Sequence, residues 1–492
     1  MNLLINIKKR PVEFGYAMLF ILPPLGMAVL AWFGCKEWVA IIRRRSVLST
    51  DPVSILFMLV TLASVGAAIA NRQVTDLLST AMLAGYYGIY LYLLNNPGRL
   101  RLAKYLWITI LGGVYLYFSN QFYDVLSHFI TIPPDVNLMT GHLLMGFSKQ
   151  NRLYGSAYNP NYACYLLILA LSLLLVELLR SIKLRSMQKI AAELVALPIL
   201  GFSIYETGSR AGFVIMILLL LLFTYNWNKK IFISVSILAV ACTPFIFNAM
   251  PRTDSTGFSM QQRLNIWKNS FKLFTDHPLF GTTSLGFPDA YHRLTGHTIA
   301  HAHNLLLSVF ASSGVVCGIF FTWLLIAGSI SLIWSLKKEK GYLRTTLFFF
   351  SLPTIIAYGL LDFTLSSPQV MLVVIALVSF WVRDQKQQRG SGRHHFLMLH
   401  YFRSTAESRR ANKETGIADP VSLSEASELA EVTDHPISKK IESGTVNEWI
   451  RTLALHFRLF DKKTDRESKI ALIPRSLTMY NRKSPKKPDG KA

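Results

Sequence analysis

The sequence predicts an all-α fold, a polytopic bundle of transmembrane helices, and three observations carry that prediction. Apolar runs of about 18–25 residues, the length a helix needs to cross a bilayer, recur from near the start to residue 382. The composition is 51% hydrophobic and only 16% charged over 492 residues. Lys and Arg gather in the short connections between the runs, as the positive-inside bias requires. In lipid every backbone polar group must be satisfied within its own segment, which leaves helices as the spanning element. The net charge of +23 would suggest nucleic acid in a soluble chain. Here the loop bias accounts for it, and no nucleic-acid-binding motif is present. Cys35, Cys164, Cys242 and Cys317 lie far apart in or beside apolar runs, without metal spacing, and read as small packing residues.

The first apolar run covers 14–33, is broken by Pro23-Pro24 and continues weakly to Ile42. Lys8, Lys9 and Arg10 precede it and Arg43, Arg44 and Arg45 close it. It reads as an uncleaved first span or a short hairpin, which gives eleven or twelve spans in all. Further spans are expected near 53–71, 74–95 and 102–120, with Arg99, Arg101 and Lys104 on the cytoplasmic side. A smaller external loop follows at 121–157, containing Pro133-Pro134 and Arg152. Spans come next near 158–180, 189–206, 209–225 and 231–248, with basic turns at Arg180–Lys189 and at Lys229-Lys230. That alternation places the Glu206–Arg210 turn outside, together with a large external loop at 248–303. The last spans fall near 304–335, 343–362 and 366–382, with Lys337, Lys338 and Lys340 inside. Residues 1–383 are thus expected to form one transmembrane domain. Residues 384–492 form a basic, largely disordered cytoplasmic tail with an amphipathic helix over 446–460.

The 248–303 loop is the longest polar excursion between apolar blocks. It holds His277, His292, His297, His301 and His303, five of twelve histidines, with Arg252, Arg263 and Arg293. A loop this long between spans points to function. Arg263 opens an amphipathic stretch, Gln262 to Phe274, with Leu264, Trp267, Phe271 and Phe274 on one face; a proline stop ends it near His277-Pro278. Arg210, in Thr207-Gly208-Ser209-Arg210, stands at the outer mouth of a span. A cation there is costly unless an anion meets it, and guanidinium suits phosphate oxygens; the alternative is a snorkelling Arg paired with Glu206. His301 and His303 directly precede the last block of spans, where histidine is the usual base near neutral pH, or a helix-capping residue. A zinc site on His292, His297, His301 and His303 lacks the expected spacing, so no metal is expected. Asn304 and Asn159, each just before a span, suit capping as well as a polar lip. Gly314 and Gly318 offer a small face for helix packing.

Together these residues resemble a family. Tyr158-Asn159-Pro160-Asn161, Thr207-Gly208-Ser209-Arg210, Arg263 with Trp267, His277-Pro278-Leu279-Phe280-Gly281 and His301-Ala302-His303-Asn304 occur in the order of the O-antigen ligase and polysaccharide polymerase family. The resemblance covers about 50–382. It implies a GT-C-like fold in the plasma (inner) membrane and a glycosyltransferase that works on the external face without metal or other cofactor. The implied donor is a glycan on undecaprenyl pyrophosphate; the acceptor is a glycan or lipid hydroxyl. Partners would be membrane lipids and other envelope polysaccharide assembly proteins. His303 would be the base, with Arg210 and Arg263 on the pyrophosphate. His301, Asn304, Asn159, Asn161 and Trp267 would contact substrate. Asp254, Asp276 and Asp289 are alternative nucleophiles that nothing singles out. Two other classes remain open at this level: a secondary transporter with Arg210 as anion site, and a structural membrane scaffold.

Overall fold

The computed structural model describes residues 10–72, 74–146, 151–252, 256–338 and 343–391. Lys8, Lys9, Asp254, Lys340 and the expected 446–460 helix lie outside them. Chain contacts divide Met1–His394 from His395–Ala492, and the second unit also lies outside the described residues.

Among the described residues the fold is entirely helical. The N-terminal half runs α1 (Pro11–Ile21), α2 (Pro23–Ile42), α3 (Pro52–Asn71), α4 (Val74–Asn95), α5 (Leu102–Phe129), α6 (Pro134–Thr140) and α7 (Pro160–Lys183). The rest is α8 (Met187–Glu206), α9 (Arg210–Trp227), α10 (Lys229–Ala241), α11 (Thr243–Ala249), α12 (Thr256–Asp276), α13 (Phe287–Thr295), α14 (Leu305–Lys338), α15 (Leu343–Leu361) and α16 (Pro368–Ser391). Eight of these helices are long and apolar enough to cross a membrane, or nine if α10 and α11, bent by 69°, form one broken span. The count falls below the expected eleven or twelve for local reasons. The Pro23-Pro24 pair separates α1 from α2, leaving α1 only 11 residues. The apolar part of α15 is also short, and α16, the expected span at 366–382, falls outside the count because its apolar run gives way to Arg383, Asp384 and Lys386. The expected single span at 231–248 is the bent pair.

α7 is the central post. Its most apolar stretch is 94% buried, against 17–44% for the other candidate spans. It packs against α5, α8, α9 and α15. Its first turn is capped by Asn159, whose side chain accepts the Asn161 backbone N–H at 2.8 Å, with Pro160 at the position that needs no N–H donor.

α14 is broken. Gly314 adopts φ 80° and ψ −179°, which separates the turns before it from the long apolar run after it. The break frees the Ala311 and Ser312 carbonyls. The backbone N–H groups of Thr282 and Thr283 donate to them at 2.9 and 3.0 Å, and Val315 N–H donates to the Pro278 carbonyl at 2.8 Å. The segment after α12 is therefore plugged into α14. Its far side is tied to α4: Thr283 Oγ1 donates to the buried Asp76 carboxylate at 2.6 Å, and Leu285 N–H to Ser79 Oγ at 3.1 Å. This corrects the reading of Gly314 and Gly318 as a packing face between helices. Gly314 is the break, and a Cβ on Gly318 would run into the Phe310 ring of the same helix. A second small apolar cluster, including Leu273, Phe287, Tyr291 and Ala302, joins α12 and α13 to the segment leading into α14.

Candidate active site

Four arginines converge on one cavity of about 420 Å³: Arg152, Arg210, Arg252 and Arg263. Each arrives from a different place. Arg210 is the first residue of α9, whose N-cap Ser209 accepts the Gly212 N–H at 3.2 Å. The positive end of the helix therefore adds to its charge. Arg263 comes from α12, and Arg252 from the residues after α11, where its carbonyl accepts Arg210 Nη1 at 3.4 Å. Arg152 precedes the 3₁₀ turn Gly155–Ala157; its Nε donates to the Thr207 carbonyl at 2.5 Å and its Nη2 to Asn161 Oδ1 at 2.9 Å. Gly208, at φ 66°, makes room: a Cβ there would lie 3.1 Å from Arg152 Nε and 3.2 Å from Arg252 Cδ. Burial, and after it the Arg252 charge, push the Arg152 guanidinium down to about 10. No carboxylate is among the described residues lining the cavity. Like charges gathered this way favour an anion between them. Val214, Met260 and Ile266 give the cavity an apolar wall beside the arginines.

His303 also lines this cavity. Its φ of 49° is unusual for a residue with a side chain and turns the imidazole toward Asp362, just past the end of α15. Asp362 is buried and fully engaged. Its Oδ1 accepts the Phe363 N–H at 2.8 Å and faces His303 Nδ1 at 2.8 Å and His301 Nε2 at 3.2 Å. Its Oδ2 accepts Asn161 Nδ2 at 2.7 Å. Burial alone would raise this carboxyl; the His303 charge and the imidazole hydrogen bonds outweigh it and hold Asp362 well below the usual carboxylate range. An ionised carboxylate only accepts hydrogen bonds, so His303 Nδ1 carries a proton toward Asp362, and Nε2 is the ring nitrogen that Asp362 does not engage. His301 is deeply buried, and burial holds it below its ordinary value in spite of Asp362. Of the two histidines, His303 is the one that reaches the cavity. His301, His303 and Asp362 bring one nitrogen or oxygen each within 4.8 Å of one another, a set a cation would fit. Hydrogen bonds already satisfy both Asp362 oxygens.

The structure thus brings Arg210, Arg263, His303 and Asn161 to one cavity. It gives other tasks to the remaining predicted contacts. Asn159 caps α7 and donates to the Met145 carbonyl at 2.9 Å. Asn304 caps α14 through Leu307 N–H at 3.0 Å and ties it to α15 through the Leu360 carbonyl at 2.9 Å. Trp267 is not among the lining residues, and its buried indole N–H meets no acceptor among the described residues. His292 pairs locally with Thr298, at 3.3 Å. Asp276 and Asp289 do not line the cavity. Arg152 and Arg252 stood out in the sequence only as members of the two external loops, with no role in the site, and Asp362 was not singled out. Asp362 carried a readable signal, a lone carboxylate closing an apolar run.

Residues 195–322 match the Wzy_C family, described as O-antigen ligase. No curated protein matches the chain. The matched segment contains Arg210, Arg252, Arg263, His301 and His303; Arg152, Asn161 and Asp362 lie outside it.

Proposed function

From the premise that this multi-pass membrane protein carries an O-antigen ligase domain, an enzyme family, we propose that it transfers a glycan from a polyprenyl-pyrophosphate donor to an acceptor hydroxyl at the outer membrane face. The observation that carries this reading is the meeting of four guanidiniums and one oriented imidazole in a cavity with an apolar wall. The donor has the same division: an anionic pyrophosphate attached to a hydrocarbon chain. Arg210, Arg252 and Arg263 grip the phosphates while Val214, Met260 and Ile266 receive the first isoprene units.

The acceptor hydroxyl gives its proton to His303 Nε2 as its oxygen attacks the anomeric carbon. The bond from that carbon to the pyrophosphate oxygen breaks, and its electron pair leaves on the pyrophosphate. One displacement inverts the anomeric centre. The leaving group gains one negative charge, which the arginines are already placed to stabilise. Asp362 keeps the His303 tautomer fixed and stabilises the imidazolium that forms. The donor is expected to be undecaprenyl-linked. The acceptor is a second lipid-linked glycan for a polymerase, or a lipid for a ligase.

The test is surface-glycan length in cells lacking the gene and complemented with wild type, Arg263→Ala or His303→Ala. The expected outcome is full-length protein in the membrane with glycan formation lowered on the order of 10²–10³-fold or more for either variant. Single units left on the carrier identify a polymerase; long chains stranded on the carrier identify a ligase. Normal glycan from either variant would sink the assignment. Turnover of purified protein is expected to be unchanged in excess EDTA, and loss restored by a divalent cation would place an ion at His301, His303 and Asp362.

A further inference from the structure

An unbroken hydrogen-bonded chain runs from the anion cavity to the proposed base. Arg152 Nη2 donates to Asn161 Oδ1 at 2.9 Å, Asn161 Nδ2 donates to Asp362 Oδ2 at 2.7 Å, and Asp362 Oδ1 lies 2.8 Å from His303 Nδ1. The two ends, Arg152 and His303, line the same cavity, and so does Asn161.

The amide in the middle has a chemical reason. Asn offers a carbonyl oxygen on one side and an NH₂ on the other. It can therefore accept from a guanidinium and donate to a carboxylate at once. A direct Arg152–Asp362 contact would make a closed ion pair, and each charge would be consumed by the other. With the amide between them, Arg152 presents its charge to the cavity and Asp362 presents its charge to the imidazole. The backbone holds the relay in place as well. Asn161 is in the first turn of the central α7, Thr207 anchors Arg152 Nε, and Asp362 accepts the Phe363 N–H.

We infer that Arg152 and Asn161 are positioning residues that tie anion binding in the cavity to the orientation of His303. This rests on the reading of His303 as the base. Arg152 meets the donor phosphate and steadies Asn161; Asn161 steadies Asp362; Asp362 keeps Nδ1 of His303 protonated and Nε2 open to the acceptor. Asn161 thereby passes from an expected substrate contact to a supporting one. Its role depends on Arg152 and Asp362, which lie 9 and 201 residues from it in the chain.

The experiment uses the purified full-length protein with its lipid-linked donor extracted from cells, and undecaprenyl pyrophosphate as the binding probe. Asn161→Leu keeps the volume and removes both hydrogen bonds. Its kcat is expected to fall about 10–100-fold, the usual cost of losing a supporting hydrogen-bond partner, while donor KM and probe affinity stay within about twofold. Arg152→Gln is expected to weaken both kcat and probe binding. Arg152→Lys is expected to restore probe binding and leave kcat low, because an ammonium lacks the planar fork that reaches Thr207 and Asn161 together. A kcat for Asn161→Leu equal to wild type overturns the relay. So does a loss confined to KM. Should Asn161→Leu prove unstable, the double variant decides. In a His303→Ala background, Arg152→Lys is expected to lower the residual rate no further, since the residue at the end of the relay is gone. A full additional loss there would show that Arg152 does not act through His303. If His303→Ala alone is as active as wild type, it is the parent reading that fails.

Discussion

Asp362 decides how the proposed base behaves. Asp362→Asn preserves shape but presents an amide that can hold the wrong tautomer of His303, so a loss of about 10³–10⁴-fold in kcat is expected with the protein still folded. Steady-state turnover beside thermal unfolding checks it. The pH dependence of stability follows from the two buried groups. Burial depresses His301 below its unfolded value of about 6.5, so between those values the unfolded chain takes the proton first. Stability is therefore expected to fall as pH drops below about 6.5. Asp362 is depressed too, and it withdraws its contribution only below the unfolded carboxylate value of about 3.9. Melting of wild type and His301→Gln from pH 7 to pH 5 is expected to show a flatter slope for the variant. An identical slope would remove His301 as the cause. Arg210 and His303 were legible in the sequence because each is a costly or reactive side chain at the edge of an apolar run, and Arg263 because it opens an amphipathic stretch in the long polar loop. Arg152 was not: its significance lies in a contact with Thr207, 55 residues away, that no local pattern encodes.

Among the elements, α14 shows best how far periodicity reaches. Its apolar run was plain, and so were α12 and its stop before Pro278. The glycines of α14 were seen but assigned to the wrong task. Small-residue spacing looks the same whether a helix packs closely or breaks, and only the φ of Gly314 separates the two. The break matters because α14 begins two residues after His303, so the plug of Thr282 and Thr283 also fixes where the proposed base stands. Gly314→Ala would force a side chain into a positive-φ position and against the Leu279 carbonyl. A loss of about 1–3 kcal/mol is expected, seen as a lower melting temperature and faster proteolysis at 277–286, with reduced turnover. Melting equal to wild type would show that the plug contributes little.

At the scale of the molecule, the helical class and the grouping of spans could be read from hydropathy, while the place of each helix in the bundle could not. α7 and α9 read alike as apolar runs, yet one is enclosed and the other is mostly exposed at its flanks. The topology expected from the basic loops makes a direct prediction. In whole cells of a strain with the native cysteines replaced, a membrane-impermeant maleimide should label a cysteine at His297 and leave one in the 384–492 tail unlabelled. The reverse pattern would invert the proposed orientation. Removing the tail after Gln388 is expected to leave turnover within about twofold, since every residue of the cavity precedes it.

The enclosed position of α7 has a consequence for how the protein is made. α15, one of the helices that surrounds α7, is completed roughly 180 residues after it, which at about 5–20 residues per second is some 10–40 s of synthesis. Through that interval the future centre of the enzyme is one of its exposed parts and rests against lipid tails. A helix that relied on polar contacts with neighbours would wait badly there. The leucine-rich surface of α7 suits both environments, first lipid and then protein, and Glu177, with Arg180 3.6 Å away, sits near the end of the helix, away from its middle.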